Sequence, residues 1–167
     1  MPKTDAPRDG PAVIAMVRIQ ARPLEDDGSG QTVFLKPEQV AYFFSGSAVE
    51  NGLITTVWVP ARPTLIPGEI YVRTIKGEVY RAVQRSLAEI GRQFGEPLFL
   101  IHQSLLINLN MLHSACLRPP DRLVGMRVNT GVRGAKEIDY LTVARSRVAD
   151  LTQRLTGEEF DEEPDPA

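Results

Sequence analysis

The chain has 167 residues, of which 43% are apolar and 24% charged, with one cysteine and a formal net charge of −2. A chain of this length can bury a core without staples, and a single cysteine excludes an internal disulfide. The longest apolar piece near the start, Ala12 to Val17, is too short to span a bilayer and follows Asp5 and Asp9, unlike a signal peptide. The expected setting is therefore the cytoplasm, with no membrane partner.

The net charge hides an uneven distribution. Residues 69–156 hold 13 Lys/Arg against eight acids, whereas residues 157–167 hold six acids and no base. A basic body with an acidic tail is one pattern of nucleic-acid binders, and an unevenly charged soluble protein is the other reading.

In chain order, Met1 to Gly10 is polar and proline-containing and is expected to be disordered. Ala12–Gln20 fits a strand, and Leu24–Gln31 fits a loop. Thr32–Leu35 and Val40–Phe44 are β-rich runs around a turn at Pro37. Ser45–Gly52 reads as loop, Leu53–Val59 as a strong strand, and Pro60–Gly68 is too rich in proline for a ladder strand or a helix. Glu69–Ile75 and Glu78–Val83 form a hairpin signature about Lys76-Gly77, where glycine supplies the positive φ of the turn.

The clearest helix follows. Ser86-Leu87-Ala88-Glu89 has the spacing of a capping box, Leu87, Ile90 and Phe94 make an apolar stripe, and Gly95 is placed to end it. Further strands are expected at Met111–Leu117, Leu123–Val128 and Glu137–Val143, with turns at Pro119-Pro120-Asp121 and at residues 129–134. Ser146–Leu155 reads as a last short helix with Val148, Leu151 and Leu155 on one face. The tally is a mainly-β protein with one or two short helices.

Little points to an enzyme, a metal or a cofactor. His113 and Cys116 are three apart on a strand and so face opposite ways, and Cys116 is read as an apolar strand residue. Two histidines and one cysteine offer no metal-ligand spacing, and residues 131–134 lack the Lys-Ser/Thr ending of a phosphate loop.

Polar interruptions carry more information. Within Phe99–Asn110, the runs Phe99-Leu100-Ile101 and Leu105-Leu106-Ile107 are split by His102-Gln103-Ser104. Two strands joined by a tight bend would hold these side chains at an edge, where Gln can pair with an adenine edge and His or Ser can reach a base or phosphate. The bland alternative is that Ser104 caps the bend while His102 packs with a satisfied ring. Arg145 and Arg147 stand where the last strand meets the last helix, a position mildly unfavourable for cations. They either enter a DNA groove or cover apolar surface with their stems.

Taken together, several strings resemble the LytTR DNA-binding domain. They are Tyr71-Val72-Arg73-Thr74, Lys76-Gly77-Glu78, Arg85 to Ile90, Phe99 to Leu109, and Leu141-Thr142-Val143-Ala144-Arg145. The likeness runs from about Val33 to Leu155, and its most specific piece is Ile101 to Asn108. It implies stacked small β-sheets whose strand-end loops, rather than a recognition helix, enter major grooves of double-stranded DNA, with two copies on paired direct repeats. It also implies contacts from the loop before Tyr71, from Gln103 and from Arg145, with His102 and Ser104 fixing the bend and Asn108 bonded to backbone.

Three positions depart from the family pattern: Gln103 where Arg is usual, Ala144 where Ser is usual, and Ile70 after acidic Glu69 at the first contact position. The implied organisation is an extension at 1–30, a DNA-binding domain at 31–156 with an insertion at about 45–68, and an acidic disordered tail at 157–167. Trp58 in the insertion is expected to pack on the domain, the other reading being an exposed patch for a partner. Thirty leading residues are too few for the phosphoacceptor receiver that most family members carry. The reading is a transcription regulator with candidate DNA contacts at His102, Gln103, Ser104, Arg145 and Arg147. The alternative is a module of the same fold that has lost DNA binding and acts by binding another regulatory protein.

Overall fold

The computed structural model describes residues 19–23, 32–55, 65–83, 86–129 and 137–157. The first strands in chain order are β1 (Ile19–Pro23), β2 (Val33–Leu35), β3 (Val40–Ser45), β4 (Ile54–Thr55), β5 (Ile70–Thr74) and β6 (Val79–Ala82). They are followed by β7 (Leu98–His102), β8 (Leu105–Asn108), β9 (Leu112–Cys116), β10 (Leu123–Val128) and β11 (Glu137–Thr142). Helices α1 (Gly46–Glu50), α2 (Leu87–Phe94) and α3 (Val148–Thr156) are short. The fold is mainly β, as the sequence leads one to expect.

Seven strands form one antiparallel sheet in the order β2-β1-β6-β5-β3-β8-β7, and four form a second in the order β4-β11-β10-β9. Side-chain alternation explains the stacking. Phe43, Val72, Leu98 and Leu106 face one side of the large sheet, where Leu87 and Ile90 of α2 cover them. Tyr42, Phe44, Tyr71, Ile101, Leu105 and Ile107 face the other side, against Val124, Met126, Leu141 and Val143 of the small sheet and Leu151 of α3. The central strands β3 and β5 are therefore buried along their whole length. β1 pairs with both β2 and β6, so residues 19–23 of the leading extension belong to the large sheet.

The hairpin about Lys76-Gly77 forms as its residues dictate, with Gly77 at φ 89 and its amide on the Thr74 carbonyl at 3.0 Å. The Ser86 hydroxyl accepts from the Glu89 amide at 3.1 Å at the start of α2, and Gly95, at φ 63, ends it. Asn108, almost fully buried, donates to the Val40 carbonyl at 2.9 Å and accepts from the Asn110 amide at 2.9 Å, pinning β8 to β3. Among the described residues, one charged cluster lies between the sheets. Asp139 of β11 accepts from Arg73 Nε and from the Tyr42 hydroxyl, each at 2.8 Å, while Arg73 also donates to the Gly77 carbonyl. The two charged side chains are only 3% and 0% exposed.

Three local expectations are corrected. Gly46–Glu50 is a helical turn rather than loop, because Ala48 is buried in the inter-sheet core and Val49 packs against it. Gly46 permits this: a Cβ there would lie 2.2 Å from the Ile66 carbonyl oxygen. The terminal helix buries Leu151, but Leu155 is 38% exposed, so its apolar face is narrower than the stripe implies. Cys116 is exposed on the edge strand β9 rather than packed as an apolar residue. Residues 12–18 of the strand expected at 12–20, the loop at 24–31, Trp58 within 56–64, residues 130–134 of the turn expected at 129–134 and residues 158–167 of the tail lie outside the described residues.

Candidate functional site

The break in Phe99–Asn110 is a two-residue hairpin turn, Gln103-Ser104, between β7 and β8. Its frame is fixed from within. The Ser104 amide donates to His102 Nδ1 at 3.1 Å, so the neutral ring carries its proton on Nε2. Burial holds the His102 pKa below the usual 6.5, which keeps the imidazole neutral as this bond requires. Ser104 is buried, and its carbonyl accepts from the Ser45 amide at 3.1 Å. Gln103 is the exposed member of the triplet.

A bulge then brings the second half of the site alongside. Leu100 pairs with Leu106 and His102 with Leu105, so Ile101 is the extra residue of β7 and its carbonyl is released from the ladder. The Ala144 amide takes that carbonyl at 2.8 Å. Ala144 precedes a single 3-10 turn, Arg145–Arg147, that leads into α3. Arg145 is exposed and Arg147 half-buried. The structure thus brings His102, Gln103 and Ser104 together with Arg145 and Arg147 at one end of the stacked sheets. One residue back, the Val143 amide donates to the Arg122 carbonyl at 2.8 Å, which seats the β9–β10 loop on the far side of the same strand exit.

Among the described residues no ion pair holds the arginines of this row, although Asp150 stands in the first turn of α3, three residues after Arg147. Ion pairs among the described residues join Arg73 to Asp139, Arg81 to Glu69 and Arg154 to Glu96, and none of them involves Arg118, Arg122, Arg145 or Arg147. Acidic side chains do occur nearby: Asp121 is exposed within the β9–β10 loop, and Glu69 lies beyond Gly46, whose amide donates to the Glu69 carbonyl. Glu69 is held by Arg81 at 3.2 Å. Ile70, at the first contact position of the resemblance, is 5% exposed and packed in the core, so it offers nothing to an outside partner.

Arg118 and Arg122 escaped the sequence reading. Their signal was an arginine at each end of Pro119-Pro120-Asp121, but nothing in the sequence says that this turn abuts residue 143. Among the described residues no cluster of three or more His, Cys, Asp or Glu is arranged to hold a metal, and no helix is long and apolar enough to cross a membrane. Compared with protein-family models, curated proteins and solved structures, the chain matches none.

Proposed function

We propose that this chain is a DNA-binding transcription regulator of the LytTR type, which enters the major groove with strand-end segments rather than a helix. One observation carries the reading: the bond from the Ala144 amide to the Ile101 carbonyl, which sets the segments that lead to exposed Gln103 and exposed Arg145 side by side. Hydrogen-bonded segments run about 4.8 Å apart, so the two segments bearing Gln103 and Arg145 are close enough to enter one groove together. A B-DNA major groove is about 12 Å wide. The chemistry also suits a groove. An amide pairs bidentately with an adenine edge, a guanidinium with guanine O6 and N7, and arginines in no ion pair among the described residues supply attraction to phosphate.

In this reading Gln103 and Arg145 touch bases, Arg147 lies beside them, and His102 and Ser104 hold the turn that aims Gln103. Two copies occupy paired direct repeats. The ordered strings from Tyr71 to Arg145 and the stacked β architecture support the same family.

A second reading has a specific observation behind it. Tyr140 is 40% exposed on the small sheet, and the open edge strand β9 holds no lysine, arginine or proline to discourage a neighbouring strand. These features suit a module that binds another regulatory protein.

Selection of bound duplexes from a random pool, followed by titration at several salt concentrations, separates the two. A DNA regulator making about six phosphate contacts loses on the order of 10³-fold in affinity between 50 and 200 mM salt. Failure to enrich any site, with no salt-dependent binding, would refute the first reading.

A further inference from the structure

We infer that the loop between β9 and β10 is a phosphate clamp, with Arg118 and Arg122 gripping the DNA backbone at the wall of the groove that Gln103 and Arg145 enter. The inference rests on the DNA-binding reading above and assigns a role to two residues outside it.

The loop is built to hold two guanidinium groups close together. The Asp121 and Arg122 amides both donate to the Arg118 carbonyl, at 3.1 and 3.4 Å, so the arginines stand at the two ends of one tight turn. Pro119 and Pro120 between them restrict the backbone and leave little freedom to lose on binding. The turn is tied to the site by its last residue, whose carbonyl accepts from Val143, two residues before Arg145.

Arg122 itself is unusual. At φ 39 it is the only non-glycine residue with positive φ among the described residues, a conformation that a long side chain rarely adopts without a constraint. Its Nε is shielded from water and has no acceptor. The inner part of the head group is therefore packed against the protein, with no ion pair to Arg122 among the described residues. Arg118 is exposed, and neither residue has an ion-pair partner among the described residues. Asp121 lies between them, exposed and in no ion pair among the described residues, and lowers the local charge without cancelling it.

Position favours phosphate over base. The Arg122 segment lies two hydrogen-bonded spacings, about 10 Å, from the β7 backbone at Ile101 that leads into the Gln103 turn, comparable with the roughly 12 Å width of a major groove. Phosphate contacts fix register without reading sequence, and each adds about 0.9 to the slope of log affinity against log salt.

The test titrates a selected duplex and an unrelated duplex with the full chain between 50 and 200 mM salt. Variants are Arg118→Ala, Arg122→Ala and the two combined, each checked for folding by thermal unfolding. Because Arg122→Ala changes a strained position, Arg118→Ala and the charge-keeping Arg122→Lys are read alongside it. Each neutralised arginine is expected to lower the slope by about 0.9, so the double variant loses about tenfold less affinity than the parent across that range. Arg122→Lys keeps the parental slope, and preference between the two duplexes is unchanged in every variant. A parental slope in Arg118→Ala and in the folded double variant overturns the clamp while leaving the DNA reading intact. So does a loss of preference at an unchanged slope, since the loop would then read bases. A parent that shows no salt-dependent binding removes both.

Discussion

Removal of the Asp139 carboxylate tests how the two sheets are locked together. In Asp139→Ala, Arg73 Nε and the Tyr42 hydroxyl each lose an acceptor at 2.8 Å, in a site where the Arg73 side chain is 3% exposed. Breaking a buried ion pair from one side costs about 3–5 kcal/mol, because a charge is left in low dielectric. Domains are stable by about 5–15 kcal/mol, so the variant gives up a large share of its margin. With a urea m-value of about 2 kcal/mol per molar, a loss of 4 kcal/mol moves the unfolding midpoint down by about 2 M. Replacing both partners, Arg73→Met with Asp139→Leu, is expected to restore most of that loss, since buried pairs exchanged for apolar groups of like volume are often neutral or stabilising. A midpoint shift of about 0.3 M or less in Asp139→Ala would show that the cluster does not hold the sheets together. Equal destabilisation in the single and double variants would assign the effect to packing rather than charge.

Other consequences follow from particular contacts. Asn108→Ala leaves the Val40 carbonyl and the Asn110 amide without their partner and is expected to cost about 1–3 kcal/mol, seen as a melting temperature lower by about 4–8 °C for a 2 kcal/mol loss; melting at the parental temperature would count against it. Gly46→Ala drives a methyl group into the Ile66 carbonyl, and about 1–3 kcal/mol of destabilisation is expected by the same measurement, with an unchanged melt contradicting the close approach. His102 titrates below its usual range because it is partly buried, so the unfolded chain takes up the proton first. The stability tied to the neutral ring is complete above about pH 6.5 and falls as the pH drops through the lower folded value. Urea midpoints at pH 7 and pH 5 should differ less in His102→Gln than in the parent; an equal difference would trace it to other groups.

How much of this was legible in the sequence depends on the range of the interaction that decides it. The hairpin about Gly77, the start of α2 at Ser86 and the turn at Gln103-Ser104 are local, set by turn chemistry and capping within a few residues. Period-two alternation also assigned Asp139 to the face shared by Leu141 and Val143, although a carboxylate on an inward face looks like an error until Arg73 and Tyr42 arrive from 66 and 97 residues away. Those separations are why the pair itself could not be read. The composition of Ser45–Gly52, with its glycines, serines and Asn51, hid α1, whose formation depends on Ala48 finding the core. At the candidate site, the types and edge positions of Gln103 and Arg145 were readable. Their adjacency arises from a bulge at Ile101 and a bond to residue 144, and neither leaves a mark on local periodicity.

The hairpin turn at Gln103-Ser104 keeps the bonds that shape it apart from its exposed side chain. Its shape is set by His102 through an imidazole acceptor and by Ser104 through main-chain atoms, and the side chain of Gln103 takes no part in either bond. The middle residue can therefore be exchanged for an arginine, an asparagine or a lysine while the scaffold around it stays in register. Under the proposed DNA-binding reading, a single codon at this position would change the base contact while the bonds that shape the turn stay as they are.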